Sequence, residues 1–390
     1  MRAVRPASTI VLMCLAWVLS SLLAHAQLFD TRAKQAFMMD EETGTVLFSK
    51  NADELIQPAS LAKLMTLELV FNSLKAGRLH LDDEFVVSEN AWRKGGAVSG
   101  GSTMFAKVHS SVPLEALIQG IAVQSANDGC ITVAEGMSGS EDNFAREMTA
   151  RARQLGLEKS VFTNSTGLPD PNQHVTIREL VLLARHIHQT YPEYFKYFSE
   201  ESFTWNKILQ RNRNPLLKMD IGVDGMKTGH TDEAGYAIVA TAGRDGRRLL
   251  LGMSGLSSDR ERMEESRKML DWGFRAFEKM PLFALGDVVG EASVYGGDRS
   301  TVDLKARKPI DIFVPLTNRD KLKARIVYTG PILAPVREGQ EIGVLKVWIG
   351  DTLSQETPVY AAEDIGKGTL RQQAMDALAE LATGWIRKYR

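Results

Sequence analysis

Ser60 and Lys63 stand three residues apart at the start of a helix-like segment, where they would make a nucleophile and its base. Apolar residues recur at helical spacing over 61–74, which predicts that Ser60 lies in the first turn of a helix. Residues three apart share one helix face, and the helix dipole favours negative charge on the serine oxygen. A serine hydroxyl attacks a carbonyl when a neutral amine takes its proton. Alone, the pair also fits a capping serine beside a solvent-facing lysine.

Ser125 and Asn127 form a second polar pair, after an apolar helix-like run over 114–124. A hydroxyl at this point could pass a proton between a base and a leaving group, and an amide could hold a substrate carbonyl. Small polar residues at the end of a helix are also common caps, so the pair alone does not indicate a function.

Lys227, Thr228 and Gly229 form the third element, in a strand-like run. The cation and the hydroxyl are suited to a substrate carboxylate, and the glycine permits a substrate backbone to approach the strand closely. A second cation near Lys63 would also lower the pKa of that lysine by repulsion, which a lysine base requires near neutral pH. As an isolated turn, the triplet would be commonplace.

The three elements occur in the order S-x-x-K, S-x-N, K-T-G, which is the signature of the penicillin-recognising serine acyltransferases. More narrowly, the chain resembles the D-alanyl-D-alanine carboxypeptidases of peptidase family S11, the low-molecular-mass penicillin-binding proteins. The resemblance extends from about residue 30 to the C-terminal helix. The segments that carry it are residues 39–40, 43–47, 58–66, 125–128, 223–231 and 234–236.

The resemblance implies roles for the residues around the nucleophile. Ser60 would form the acyl-enzyme, and Lys63 would be its general base. Ser125, a further catalytic residue, and Asn127 would line the site. The backbone amides of Ser60 and His230 would form the oxyanion hole, whereas the His230 side chain would shape the substrate site.

The resemblance also implies how the substrate is held. Lys227 and Thr228, beside Gly229, would bind the terminal carboxylate of a peptidoglycan stem peptide. Arg213 would assist them, although Pro215 follows where the family commonly has glycine. β-Lactams would be covalent inhibitors, and the reaction would need no cofactor and no metal. The implied reaction is removal of the terminal D-alanine from stem pentapeptides.

Three alternatives share some of these features. A β-lactamase has the same motifs but needs an added carboxylate to activate water, and the segment 164–169 contains none. DD-endopeptidase action on peptide cross-links uses the same residues, so the sequence does not separate it from carboxypeptidase action. A non-catalytic cell-wall-binding protein on a retained fold would be expected to lack a motif residue, and none is missing.

Composition excludes some classes of partner. The 47 basic and 48 acidic residues give a formal net charge of −1, so the chain offers no overall field for nucleic acid or an anionic membrane. His186 and His188 are two apart, which places them on different faces of a helix. The sequence therefore predicts no metal site and no nucleic-acid partner.

Residues 1–26 have the pattern of a cleaved secretory signal peptide. Two arginines precede the apolar run 10–23, and Ala24-His25-Ala26 supplies a small-x-small cleavage site. The alternatives are an uncleaved N-terminal anchor and a lipoprotein modified at Cys14. Cleavage leaves Cys130 as the single cysteine, which predicts a small buried residue without a disulfide.

Helix-like and strand-like segments alternate over 28–285, which predicts an α+β catalytic domain of the penicillin-recognising serine transpeptidase type. The strand-like segments suggest a hairpin of 37–40 with 45–48 and a second pair, 235–242 with 248–253. Besides 61–74 and 114–124, the segment 176–188 has helical spacing. From 286 to 366 short strand-like segments recur between turns, which predicts a smaller all-β C-terminal domain.

Residues 368–390 predict an amphipathic helix whose apolar stripe is followed by basic residues. Such a helix would lie in a membrane interface rather than cross it. The expected location is the periplasmic face of the cytoplasmic membrane, with peripheral attachment of an exported enzyme. The alternative is a terminal helix docked on its own protein.

Overall fold

The structure is a computed structural model that describes residues 29–317 and 322–387, and the predicted signal peptide, residues 1–26, lies outside these ranges. From Ala33 onward, the described residues form one compact unit, to which the elements below belong. The helices are α1 (Lys63–Lys75), α2 (Glu89–Gly95), α3 (Leu114–Gln119), α4 (Asn127–Ser138), α5 (Glu141–Gln154), α6 (Ile177–Thr190), α7 (Pro192–Ser199), α8 (Asp259–Arg275) and α9 (Leu370–Arg387).

In the described part of the chain, the strands form a five-stranded sheet, a six-stranded sheet and three two-stranded ribbons. They are β1 (Gln35–Asp40), β2 (Val46–Lys50), β3 (Glu84–Val86), β4 (Ser111–Pro113), β5 (Ser202–Trp205), β6 (Ile208–Arg211), β7 (Val223–Thr231), β8 (Gly235–Arg244), β9 (Arg247–Leu256), β10 (Phe277–Phe283), β11 (Val288–Tyr295), β12 (Thr301–Lys305), β13 (Ile310–Pro315), β14 (Leu322–Tyr328), β15 (Ile332–Leu333), β16 (Glu341–Ile349) and β17 (Thr352–Ala361).

The five-stranded sheet is antiparallel, in the order β2-β1-β9-β8-β7. The two predicted strand pairs form its β1–β2 and β8–β9 hairpins. Asp245 and Gly246 turn the second hairpin with φ values of +51° and +78°, as a tight right-twisted hairpin requires. β7 is an edge strand, so one of its two backbone edges has no neighbour within this sheet. That strand carries Lys227, Thr228 and Gly229.

Helix α1 runs through the core of the larger part of the chain. Almost all of its residues are buried, including Leu64, Leu67 and Phe71. Because such a helix has no solvent face, its apolar residues surround the helix instead of forming one stripe. Helices α4, α5 and α6 pack around it, and α6 also covers the sheet through Val181. The predicted α+β class is confirmed.

The C-terminal strands have a core of their own. β14-β16-β17-β12-β11-β15 form the six-stranded sheet, with mixed pairing only at the short β15. Its inner face buries Val302, Leu304, Leu345, Val347 and Val359. The predicted all-β character is confirmed. β10, which precedes the expected boundary at 286, pairs with β13 from the C-terminal segment.

Two predicted helices differ from the structure near the site. Ser60 lies in a 3₁₀ turn, Ala59–Ala62, and α1 begins only at Lys63. Pro58 contributes to the tight turn, because its carbonyl accepts the Leu61 N–H at 3.1 Å. The helix expected over 114–124 is α-helical only to Gln119 and continues as a π-helical turn, Gly120–Gln124. Within the described ranges, no helix is both long and apolar enough to cross a bilayer.

Candidate active site

The turn that carries Ser60 packs directly against the edge strand β7. A β-carbon at Gly229 would lie 3.3 Å from the Ser60 backbone nitrogen, so glycine allows the strand this approach. In a 3₁₀ turn the side chains of residues i and i+3 eclipse one another. This arrangement brings Lys63 Nζ to 2.9 Å from Ser60 Oγ. The predicted nucleophile–base pair is therefore within hydrogen-bond distance.

Lys63 has the surroundings of a neutral amine. Its side chain has no exposed surface, and Nζ donates a hydrogen bond to the Thr166 carbonyl. Burial lowers the pKa of Lys63 to about 8, and the charge of Arg213 acts in the same direction. An ammonium loses its hydration in such a site, so the neutral form is favoured. With this pKa, roughly a tenth of Lys63 is neutral and able to accept a proton at pH 7, and about half at pH 8.

Ser125 projects into the site from the junction of two helices. The π-helical turn ends at this residue, which has a left-handed φ of +66°, and α4 begins two residues later at Asn127. π-Helical turns are often found at functional sites. The Ser125 hydroxyl is buried and has no hydrogen-bond partner among the described residues. It is therefore available to a substrate group.

Asp128 holds the loop 102–106, a role that the sequence does not predict. Its buried carboxylate accepts hydrogen bonds from Thr103 Oγ1 at 2.6 Å, Met104 N at 3.0 Å and Ala106 N at 3.1 Å. Asn127 N donates to the Ser102 carbonyl at 2.8 Å. These bonds fix segment 102–106 beside the S-x-N motif. The sequence feature that could have indicated this role is an acidic residue directly after the S-x-N motif.

Lys227 lies on β7 with only 1% of its surface exposed, and its Nζ donates to the Thr228 carbonyl at 3.1 Å. Burial holds the pKa of Lys227 well below its ordinary value, and repulsion from Lys63 lowers it further. The positive charge of Arg213 lowers the pKa of both Lys63 and Lys227. The sequence predicts a second cation near Lys63, and the structure supplies one on β7 and another at Arg213.

These residues surround a cleft of about 450 Å³. The predicted residues Ser60, Ser125, Arg213, Thr228, Gly229 and His230 all line it. Lys63 and Lys227 are buried beneath its wall. Asn127 does not line the cleft, and its Nδ2 would lie 3.0 Å from a β-carbon at Gly101. Four further residues that sequence reasoning missed line the cleft: Ser102, Tyr236, Asp259 and Arg262.

Arg262 reaches the cleft from α8 and is almost wholly buried. It donates to the carbonyls of Gly229 at 3.4 Å and Ala237 at 3.3 Å, and it pairs with Asp259. Its Nε is buried without a partner among the described residues. Its sequence position gave no signal, because α8 lies about thirty residues beyond the K-T-G motif. Together with Lys227 and Arg213, it makes this end of the cleft cationic.

His186 and His188, whose spacing predicts no metal binding, contact acidic side chains. His186 lies 3.3 Å from Glu68, and His188 lies 2.6 Å from Glu41. Across the described residues, histidine, cysteine and acidic side chains do not form a group of three that could bind a metal ion. Cys130 is fully buried and unpaired, and burial raises the pKa of its thiol to about 12.

Family models and known relatives match most of the chain. Residues 22–255 match the family model for D-alanyl-D-alanine carboxypeptidase of family S11, and residues 277–367 match the model for the penicillin-binding protein 5 C-terminal domain. The chain is similar to the D-alanyl-D-alanine carboxypeptidases DacC of Escherichia coli K12 and DacA of Haemophilus influenzae. Identity is 37% with DacC, over 86% of this chain and 85% of the relative, and 36% with DacA, over 90% of each.

A solved structure shows the same fold. Penicillin-binding protein 5 from Haemophilus influenzae superposes with a TM-score of 0.74 at 35% identity, covering 87% of this chain and 99% of that one. The family that the motifs predicted is confirmed, and with it the expectation of an enzyme rather than a binding module. The chain belongs to the S11 family of D-alanyl-D-alanine carboxypeptidases, which makes it a serine peptidase of the penicillin-binding protein class.

Proposed function

We propose that Ser60 is the nucleophile with which the chain removes the terminal D-alanine of peptidoglycan stem pentapeptides, with Lys63 as its base. The observation that carries the proposal is the 2.9 Å separation of Lys63 Nζ and Ser60 Oγ at a cleft, with Nζ in a fully buried position. A pKa of about 8 for Lys63 supports the role, because a base works best when its pKa is near the operating pH.

In acylation, Lys63 Nζ takes the proton of the Ser60 hydroxyl as Oγ attacks the carbonyl of the penultimate D-alanine. The carbonyl oxygen becomes an oxyanion, which the backbone amides of Ser60 and His230 would stabilise. The C–N bond then breaks, and the leaving amine receives the proton through the Ser125 hydroxyl. The free Ser125 Oγ supports this relay. Water later attacks the ester, gives its proton to Lys63 and releases Ser60.

The terminal carboxylate of the substrate would bind at the cationic end of the cleft. Thr228 and Arg213 line this end, Lys227 lies beneath it, and Arg262 approaches from α8. Charge-assisted hydrogen bonds from such groups orient a carboxylate strongly. Gly229 would shape the wall beside the substrate backbone, and Asn127 would act through Ser102, a lining residue whose carbonyl its backbone N–H binds. A β-lactam also carries a carboxylate beside its reactive carbonyl, so it would be a covalent inhibitor.

Labelled benzylpenicillin tests the assignment. We expect one penicilloyl group per chain, on the peptide that contains Ser60, and no label or D-alanine release from Ser60→Ala. A chain that binds cell wall without catalysis would take no label. Product analysis on a stem pentapeptide and on a cross-linked peptide dimer then separates carboxypeptidase from endopeptidase action. Label on Ser60→Ala equal to the wild-type level would refute the proposal.

We propose further that residues 1–26 direct export and that α9 holds the enzyme on the periplasmic face of the cytoplasmic membrane. The orientation of α9 supports this location. Its polar side contacts the β-rich part: Gln372 Nε2 donates to the Asp298 carbonyl at 3.3 Å, and the Gly296 N–H donates to Asp376 at 2.8 Å. Leu370 and Leu378, on the opposite side, are 84% and 63% exposed. A helix docked only on its own protein would bury that apolar side.

A further inference from the structure

The loop 164–168 delivers a backbone carbonyl to the buried amine of Lys63. Lys63 Nζ donates to the Thr166 carbonyl in addition to its contact with Ser60 Oγ. The shape of the loop is set locally by Asn164, whose Oδ1 accepts from Thr166 N at 3.2 Å, Thr166 Oγ1 at 2.9 Å and Gly167 N at 2.7 Å. Local bonds fix the shape of a loop, but they do not fix its position against Lys63.

Glu141 holds the loop in position. It is the first residue of α5, directly after the capping residue Ser140. Its Oε1 accepts from Ser165 N at 3.1 Å and from Ser165 Oγ at 2.7 Å. On the other side, Thr66 Oγ1 donates to the Ser165 carbonyl at 2.7 Å. Ser165 is thus fixed between α5 and α1, immediately before the residue whose carbonyl meets Lys63.

The direction of the Lys63 lone pair matters for its proposed role. A neutral amine has two N–H donors and one lone pair, and it serves as a base only when the lone pair faces the proton. One N–H on the Thr166 carbonyl restricts rotation of the amine, so that its lone pair can face Ser60 Oγ, 2.9 Å away. We propose that Glu141 is a positioning residue for the general base, acting through Ser165 and the Thr166 carbonyl. The inference rests on the proposed function of Ser60 and Lys63.

Several charged or titratable groups face Lys63. They are Cys130 and Asp128 on α4, Arg213 before the 3₁₀ turn Pro215–Lys218, Glu141 on α5, and Lys227 on β7. The negative charge of Glu141 raises the pKa of Lys63, against the larger lowering by burial. The Thr166 carbonyl also favours the protonated amine, because it accepts its hydrogen. Loss of Glu141 therefore moves the Lys63 pKa further down.

Two substitutions at Glu141 separate its charge from its hydrogen bonds. Glu141→Gln keeps an acceptor oxygen for Ser165 and loses the charge, whereas Glu141→Ala loses both. The matched control is Asp142→Asn, an exposed acidic residue in the same first turn of α5. The measurements are the rate of Ser60 acylation by benzylpenicillin as a function of pH, and kcat and KM for a stem pentapeptide.

We expect Glu141→Ala to lower the acylation plateau and kcat about tenfold or more, with little change in KM, because a misdirected base slows proton transfer. Glu141→Gln should keep the plateau within about threefold. The part of the pH profile in which the acylation rate rises with pH should move to lower pH in both Glu141 variants. It should stay in place in Asp142→Asn. Ser165→Ala should fall between wild type and Glu141→Ala, and the double variant should be no slower than Glu141→Ala alone.

Other results overturn the inference. If Glu141→Ala kept the wild-type plateau and pH dependence of acylation, the Lys63 amine would be oriented without this residue. A rise in KM at constant kcat would place the effect on substrate binding instead. If Glu141→Ala does not fold, as judged by its melting transition, Ser165→Ala and Glu141→Gln carry the test, and wild-type profiles in both overturn it. Failure of wild-type enzyme to label at Ser60 would instead refute the proposed function itself.

Discussion

Gly167 lies so close to Ala59 that a β-carbon on the glycine would stand 1.8 Å from the Ala59 carbonyl oxygen. The loop 164–168 is therefore in van der Waals contact with the turn that carries Ser60. Gly167 also has a φ of +80°, a conformation that glycine adopts without steric cost. Ala59 itself has a left-handed φ of +47°. The nucleophile turn and the loop thus constrain each other.

Gly167→Ala should therefore abolish acylation, because the new methyl group must push the loop or the Ser60 turn out of place. Gly156→Ala is the matched control, since Gly156 has a similar φ of +76° but no atom within 4 Å of its added β-carbon. Strain at φ alone should cost both variants about 1 kcal/mol of stability. Stoichiometric penicillin labelling, measured beside the melting temperature, distinguishes the two effects. Equal labelling of both variants would show that the close contact is dispensable.

The sequence predicted the residues that carry the chemistry better than the residues that hold them in place. Ser60, Lys63 and Lys227 were identifiable because three short motifs each place their groups within a few residues. Glu141 and Arg262 were not, because each reaches the site from an element far along the chain. A hydrogen bond between Glu141 and Ser165 depends on how α5 packs against a loop, and neither segment contains a local pattern that encodes it.

The same distinction applies to the fold. Alternation and helical spacing predicted the hairpins β1–β2 and β8–β9, whose partners are joined by short turns. The 3₁₀ turn at Ser60 and the π-helical turn before Ser125 were missed, because they arise from close packing. At Gly120, for example, a β-carbon would lie 2.7 Å from Met104 Sδ. Periodicity does not report such tertiary contacts.

The pH dependence of acylation should report Lys63. Since burial lowers its pKa to about 8, kcat/KM should rise as pH increases through that value, well below the roughly 10.4 of a free lysine. Lys63→Arg should be inactive, because a guanidinium stays protonated. Lys75→Arg, on the last turn of the same helix, is the control and should behave as wild type. A rising limb retained in an active Lys63→Arg enzyme would assign the proton transfer to another group.

The penicilloyl-enzyme should persist for minutes or longer, giving a burst followed by slow turnover. Asp259 is the single carboxylate among the residues that line the cleft, and it is paired with Arg262. Glu141 is engaged by Ser165, so neither acid is free to activate water beside Ser60. Stopped-flow nitrocefin hydrolysis and intact-mass analysis would follow the two phases. Rapid hydrolysis over many turnovers would instead indicate a β-lactamase.

A buried ion pair between α1 and α5 should matter for stability. Glu68 on α1 is fully buried, and its Oε1 accepts from Arg151 Nη2 at 2.9 Å and from Tyr191 OH at 2.9 Å. Arg151→Met should cost about 3 kcal/mol, because it leaves a buried carboxylate without its cation. Arg146 lies on α5 like Arg151, but it is exposed. Arg146→Met should therefore cost less than about 0.5 kcal/mol. Denaturant unfolding at neutral pH measures both.

The pKa of Glu68 also predicts how the free energy of unfolding changes at acid pH. Burial alone raises the pKa of Glu68, but hydrogen bonds from His186, Arg151 and Tyr191 outweigh it and leave the pKa below its ordinary value. Its contribution is therefore fully present above the unfolded pKa of about 4.3 and is lost as pH falls through the lower folded pKa. Arg151→Met should flatten this acid-dependent loss. An unchanged acid limb would mean that other carboxylates dominate it.

The C-terminal helix should attach the enzyme to anionic bilayers through its exposed apolar side. Each leucine that enters the interface contributes on the order of 1 kcal/mol or more at about 25 cal/mol per Å² of apolar area. Basic residues after it add roughly 1 kcal/mol each near anionic lipid, which suits a salt-sensitive peripheral attachment. We expect the full chain to float with vesicles of phosphatidylglycerol and phosphatidylethanolamine, and a chain truncated after Gly368 to stay behind with its activity on small peptides intact. The double variant Leu370→Glu/Leu378→Glu should lose flotation, whereas Leu333→Glu, at an exposed leucine of β15, should keep it. Equal flotation of the full and truncated chains would show that α9 is a docked terminus, because its removal would then leave the membrane contact unchanged.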